Sequence, residues 1–161
     1  MLDEDPSLLR ELLSARNEGQ VPGLLDLGKT WDALDRILAP KGKDALLADA
    51  ILARSGLKTK ARAGVGSARI LEPPRVAEIA ERLEGLEDLM SLVEDRYDEL
   101  VGAHGGWGEH KPAKGDSKWL REKAKAARVE EVKTLVDMLD SVITLYGEAS
   151  KAKASMLSIV F

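Results

Sequence analysis

The 161-residue sequence contains no cysteine, only two histidines and only six aromatic residues. Without cysteine there is no disulfide framework, no thiolate zinc site, no iron–sulfur cluster and no cysteine nucleophile, a pattern that fits a reducing compartment. With His104 and His110 alone, a histidine-rich metal centre is excluded as well. No long apolar run is present, and Met1-Leu2-Asp3-Glu4-Asp5-Pro6 is acidic where a secretory signal is basic. These features predict a cytoplasmic chain that neither spans a membrane nor leaves by a standard signal. What remains is one domain over residues 1–161, a length at which folding buries about two-thirds of the unfolded surface.

Charge is plentiful and unevenly placed. Net charge is −4, yet residues 51–75 carry six cations and one carboxylate, whereas residues 76–100 carry nine carboxylates and two cations. A +5 block therefore precedes a −7 block, and the small sum understates the electrostatics.

Apolar spacing predicts a mostly helical chain. Asp5-Pro6 caps a first helix through Leu8, Leu9, Leu12 and Leu13, and Asp26 caps a second with Leu27, Trp31, Leu34, Ile37 and Leu38. Residues 45–53 form a short third helix, residues 57–67 a basic loop, and residues 68–71 a strand. Glu72-Pro73-Pro74 starts another helix, Gly85 breaks it, and Leu86 to Leu100 continues as a separate one with carboxylates outward. Gly102 to Gly115, with five glycines, is a long loop. Asp116 or Ser117 caps a basic helical stretch. Val129, Val132, Leu135, Val136, Leu139, Val142, Ile143 and Tyr146 then make a continuous stripe, the expected central helix of the core. Met156 to Phe161 reads as a strand. Two strands are too little sheet for stability, since about three or a covering helix are needed, so something further is expected upstream.

Several blocks carry a resemblance: Leu25 to Leu34 with Trp31, Ala50-Ile51-Leu52, Gly64 to Ala80 with Arg69, Leu71, Pro73 and Val76, and the final helix with its apolar strand. Together they resemble the bacterial YfbM-like family, a domain of unknown function. The resemblance implies an α+β domain, mostly helical and packed around a small sheet, with a C-terminal strand. The chain departs from the family pattern by starting almost at the first helix, by carrying Glu72 at a position where the family often has Thr or Ser, and by the glycine-rich insert.

Candidate chemistry is sparse. His104, Glu109 and His110 bring two imidazoles and a carboxylate within seven residues, a donor set suited to zinc. A glycine-rich loop does not pre-organise such ligands, so a solvated loop with an exposed Trp107 is expected instead, and no metal or other cofactor. Gly64-Val65-Gly66 precedes a strand rather than following one, which makes it a turn and not a phosphate cradle. The basic residues are not interleaved with aromatics, which argues against nucleic acid. The serines match no nucleophile-elbow pattern, and the carboxylates of residues 76–100 read as a solvated helix face. These patterns point away from an enzyme.

Two function classes follow. In the first, the chain is a non-catalytic protein-binding module whose acidic face, Glu87, Asp88, Glu94, Asp95 and Asp98 with Trp107, meets a basic partner. The family resemblance, with its bacterial toxin and immunity contexts, implies an immunity-type protein that neutralises a cognate toxin by direct binding. In the second, a small-ligand-binding protein or enzyme uses a pocket formed by Trp31, Asp32, Arg69, His104 and His110.

Overall fold

The computed structural model describes residues 23, 25–63 and 66–159. Asp26 accepts the Gly28 N–H at 2.9 Å and opens a 3-10 turn, Gly28–Thr30, that runs into helix α1, Trp31–Leu38. Ala33, Leu34, Ile37 and Leu38 on its inner face are fully or almost fully buried. Pro40 stops the helix, because proline disfavours helical geometry in the residue before it. Asp44 then caps helix α2, Leu47–Leu52, by accepting the N–H groups of Leu46 and Leu47.

Next comes a strand where a basic loop was expected. β1, Leu57–Ala63, pairs antiparallel with β2, Gly66–Leu71, and β2 pairs antiparallel with β3, Met156–Ser158. The sheet order is β1-β2-β3, with a register shift between Lys58 and Arg62. β1 is an edge of this sheet, and its exposed Lys58 discourages pairing with foreign chains. Gly56 admits the chain to this strand: a Cβ there would lie 2.8 Å from the Ile70 carbonyl oxygen. The third strand thus comes from within the chain, and the expected N-terminal helix, the turn residues Gly64 and Val65, and the last two residues of the expected C-terminal strand lie outside the described residues.

Helix α3, Pro73–Glu84, has proline in its first turn, ends at Gly85 and buries Val76, Ile79, Ala80 and Leu83. Helix α4, Leu89–Arg96, continues as a 3-10 turn, Tyr97–Leu100, and together they bury Val93, Tyr97 and Leu100. The basic stretch and the apolar stripe form one helix, α5, Lys118–Lys151, capped by Ser117. Val132, Leu135, Leu139, Val142 and Tyr146 enter the core, whereas Val129, expected on the same stripe, is 57% exposed. The architecture is α+β: among the described residues, five helices and one three-stranded sheet share a core centred on α1, α3 and α5. No described helix is long and apolar enough to cross a membrane.

Candidate functional site

Helix α4 sorts its side chains by period. Val93, Tyr97 and Leu100 face the core, and Glu94, Asp95 and Asp98 are exposed on the opposite side, with Glu87 exposed just ahead of the helix. Asp88 is also exposed, but it serves its own helix. At φ 45° it accepts the Ser91 N–H at 3.0 Å and so caps α4. Aspartate tolerates this left-handed conformation better than most residues do. Asp98 pairs with Lys111 at 2.7 Å, across two exposed side chains. Glu87, Asp95 and the Glu94 carboxylate form no ion pair among the described residues, so the strip presents unneutralised negative charge.

The glycine-rich loop folds back onto the end of this strip, and Glu131 of α5 holds it there. One Glu131 oxygen accepts the Tyr97 hydroxyl at 2.7 Å and the Gly108 N–H at 3.0 Å; the other lies 3.0 Å from His110 Nε2. Burial raises the Tyr97 phenol above its ordinary range, and the adjacent Glu131 carboxylate raises it further. Arg128 lies over the Tyr97 ring at 5.0 Å and reaches the Glu94 carbonyl. Gly108 sits at φ 73°, and a Cβ there would come within 2.9 Å of Leu100, so only glycine lets the loop approach this closely.

The other end of the loop is anchored on α1. The His104 N–H donates to Asp32 at 2.6 Å, and its imidazole stacks on Trp31 at 5.9 Å between centroids. The Trp107 indole N–H donates to the Lys29 carbonyl at 3.1 Å, and its ring packs partly buried against the core. The loop is therefore pinned, and the expectation of an exposed Trp107 is corrected: a half-buried indole that finds an acceptor acts as an anchor. Of the expected pocket, Trp31, Asp32 and His104 come together, while Arg69 donates to the Arg54 carbonyl and His110 turns to Glu131. Among the described residues no three His, Asp or Glu side chains are grouped to hold a metal ion. A cavity of ≈ 290 Å³ lined by Leu25, Asp140, Ser141, Thr144, Leu145 and Glu148 touches none of these residues.

Other carboxylates serve the fold. Asp49, 2% exposed, accepts the Ser55 N–H and hydroxyl and two bonds from Arg75, the shorter at 2.6 Å. Burial pushes its carboxyl up, but the Ser55 and Arg75 hydrogen bonds outweigh that and hold it below the usual range. Asp44, beside α2, pairs with Arg82 at 2.9 Å. Asp35 pairs with Arg54 at 2.5 Å, yet its second oxygen is buried with no partner among the described residues, and burial wins: its carboxyl is raised.

Sequence reasoning missed Glu131, whose partners lie 21 to 34 positions away, although a glutamate one residue from buried Val132 was a signal. It also missed Trp119 of α5, which is 67% exposed beneath Lys123.

A family model described as "Domain of unknown function (DUF1877)" matches residues 1–98. Searches among curated proteins and among solved structures found no match.

Proposed function

The chain belongs to the DUF1877 family, a domain of unknown function, and from its surface we propose that it is a non-catalytic protein-binding module whose acidic strip receives a basic partner. The observation that carries this reading is the set of strip carboxylates that form no ion pair among the described residues. Glu94 and Asp95 stand exposed on α4, with Glu87 exposed just ahead of it, beside a loop that Glu131 fixes in place. Negative charge held on a rigid helix steers a basic surface into contact and repels acidic ones. The pinned loop supplies a firm border, so little ordering entropy is lost on binding.

The same proposal includes a finer reading. The blocks around Trp31 and from Arg69 to Val76 support a YfbM-like assignment, and with it a cytoplasmic, immunity-type role in which the strip covers a cognate toxin. Residues 1–161 then act as one domain. The small-ligand alternative draws support only from the Trp31, Asp32 and His104 group.

The test is calorimetric titration of the purified neighbouring gene product into the wild type and into Glu87→Lys/Glu94→Lys/Asp95→Lys. The expected result is binding that weakens about 100-fold or more on reversal, about 2.7 kcal/mol, and that weakens with salt. Affinity indifferent to both reversal and salt would sink the reading.

A further inference from the structure

The strip has a complement on the same molecule. In α5 no side chain before Val132 is buried, and this arm, residues 118–131, carries Lys118, Arg121, Lys123, Lys125 and Arg128. Arg121, Lys125 and Arg128 follow at i, i+4 and i+7 and so form one row along the helix. Lys118, Arg121, Lys123 and Lys125 make no ion pair among the described residues. At 1.5 Å per residue the arm is about 20 Å long, close to the about 18 Å of α4 with its 3-10 turn.

Exposed apolar side chains lie on the same two segments. Six large apolar side chains are exposed among the described residues, and five of them lie here: Met90 and Val101 by the strip, Trp119, Leu120 and Val129 on the arm. Arm and strip meet where Arg128 reaches the Glu94 carbonyl, so one copy presents a negative and a positive band side by side.

We infer that the basic partner of the strip is a second copy of this chain, each arm lying on the other copy's strip about a two-fold axis. Such an axis requires a self-complementary patch, which adjacent bands of opposite sign provide. Reversed register would set like charges together, so charge also selects the orientation. The contact is one helix wide on each side and centred on solvated charges, which makes the dimer weak and salt-sensitive. This inference rests on the binding reading above and puts a second copy, in place of the toxin of the finer reading, on that same strip.

Sedimentation equilibrium of the full chain tests it. The expected result is a dimer whose dissociation constant rises about tenfold or more between about 50 mM and about 500 mM NaCl. Arg121→Glu/Lys125→Glu alone and Glu94→Lys/Asp95→Lys alone should each be monomeric, and an equimolar mixture of the two should recover a heterodimer, because both bands then match again. That recovery also guards against variants that merely misfold. A wild type that is monomeric at both salts, or a dimer indifferent to both reversals, overturns the inference. A monomer that still binds the neighbouring gene product through its strip overturns self-association and leaves the binding reading standing. A monomer whose arm instead shifts a short DNA duplex in a gel overturns it in favour of phosphate binding.

Discussion

The carboxylates around α2 and those along α4 are chemically alike and are used in opposite ways. Asp49 and Asp44 are tied to arginines and to backbone N–H groups, and Asp35 is tied to Arg54. Glu87, Glu94 and Asp95 are exposed and form no ion pair among the described residues. A buried carboxylate must be satisfied, so its partners become part of the fold, whereas an exposed one costs little and leaves its charge available to another molecule. Position on the helix decides between these fates: Asp49 lies on the inner side of α2, and Glu94 and Asp95 on the outer side of α4.

The largest effect should come from breaking the interior side of this contrast. Arg75→Met leaves Asp49 buried with Ser55 as its remaining side-chain donor, and should cost about 3 kcal/mol or more in urea unfolding. Next is Glu131→Gln, which weakens bonds to Tyr97 and Gly108 at once; a loss of about 1–3 kcal/mol is expected, with faster hydrogen exchange at the Gly108 amide. Tyr146→Phe removes the hydroxyl that donates to the Ala50 carbonyl at 2.9 Å in the core, and should cost about 1 kcal/mol.

Acid should divide the first group of carboxylates by sign. Asp49 and Asp44 have folded values below the ordinary 3.8, so the unfolded chain binds more protons, and their contribution is present above pH 3.8 and lost as pH falls through the folded values. Asp35 is raised, so its charged form opposes folding above 3.8, and protonation relieves it. Asp35→Asn should therefore steepen the acid limb of a stability-against-pH curve, and Arg75→Met should flatten it.

Much of the fold is legible from spacing. Val76, Ile79 and Leu83, and Leu135, Leu139, Val142 and Tyr146, announce their helices because a 3.6-residue period can only bury one face. β1 is not legible, since its lysines and alanines resemble a solvated loop and only pairing with β2 makes it a strand. The acidic strip is readable for the same reason as the helices. The pinned loop is not: Trp107 meets Lys29, and Glu131 meets Tyr97, across 78 and 34 positions, and no local pattern encodes such contacts. Hence Trp107 and Trp119 are hard to rank from sequence, and the exposed one proves to be Trp119.

The smallest expected effect bears most directly on the division between charges that hold the fold and charges left for a partner. It is the urea unfolding free energy of Glu87→Lys/Glu94→Lys/Asp95→Lys, measured in dilute protein at moderate salt. Three reversals on exposed, unpaired positions should leave it within about 0.5 kcal/mol of wild type per site. A loss as large as that of Arg75→Met would contradict the division, because the strip would then be part of what holds the fold together.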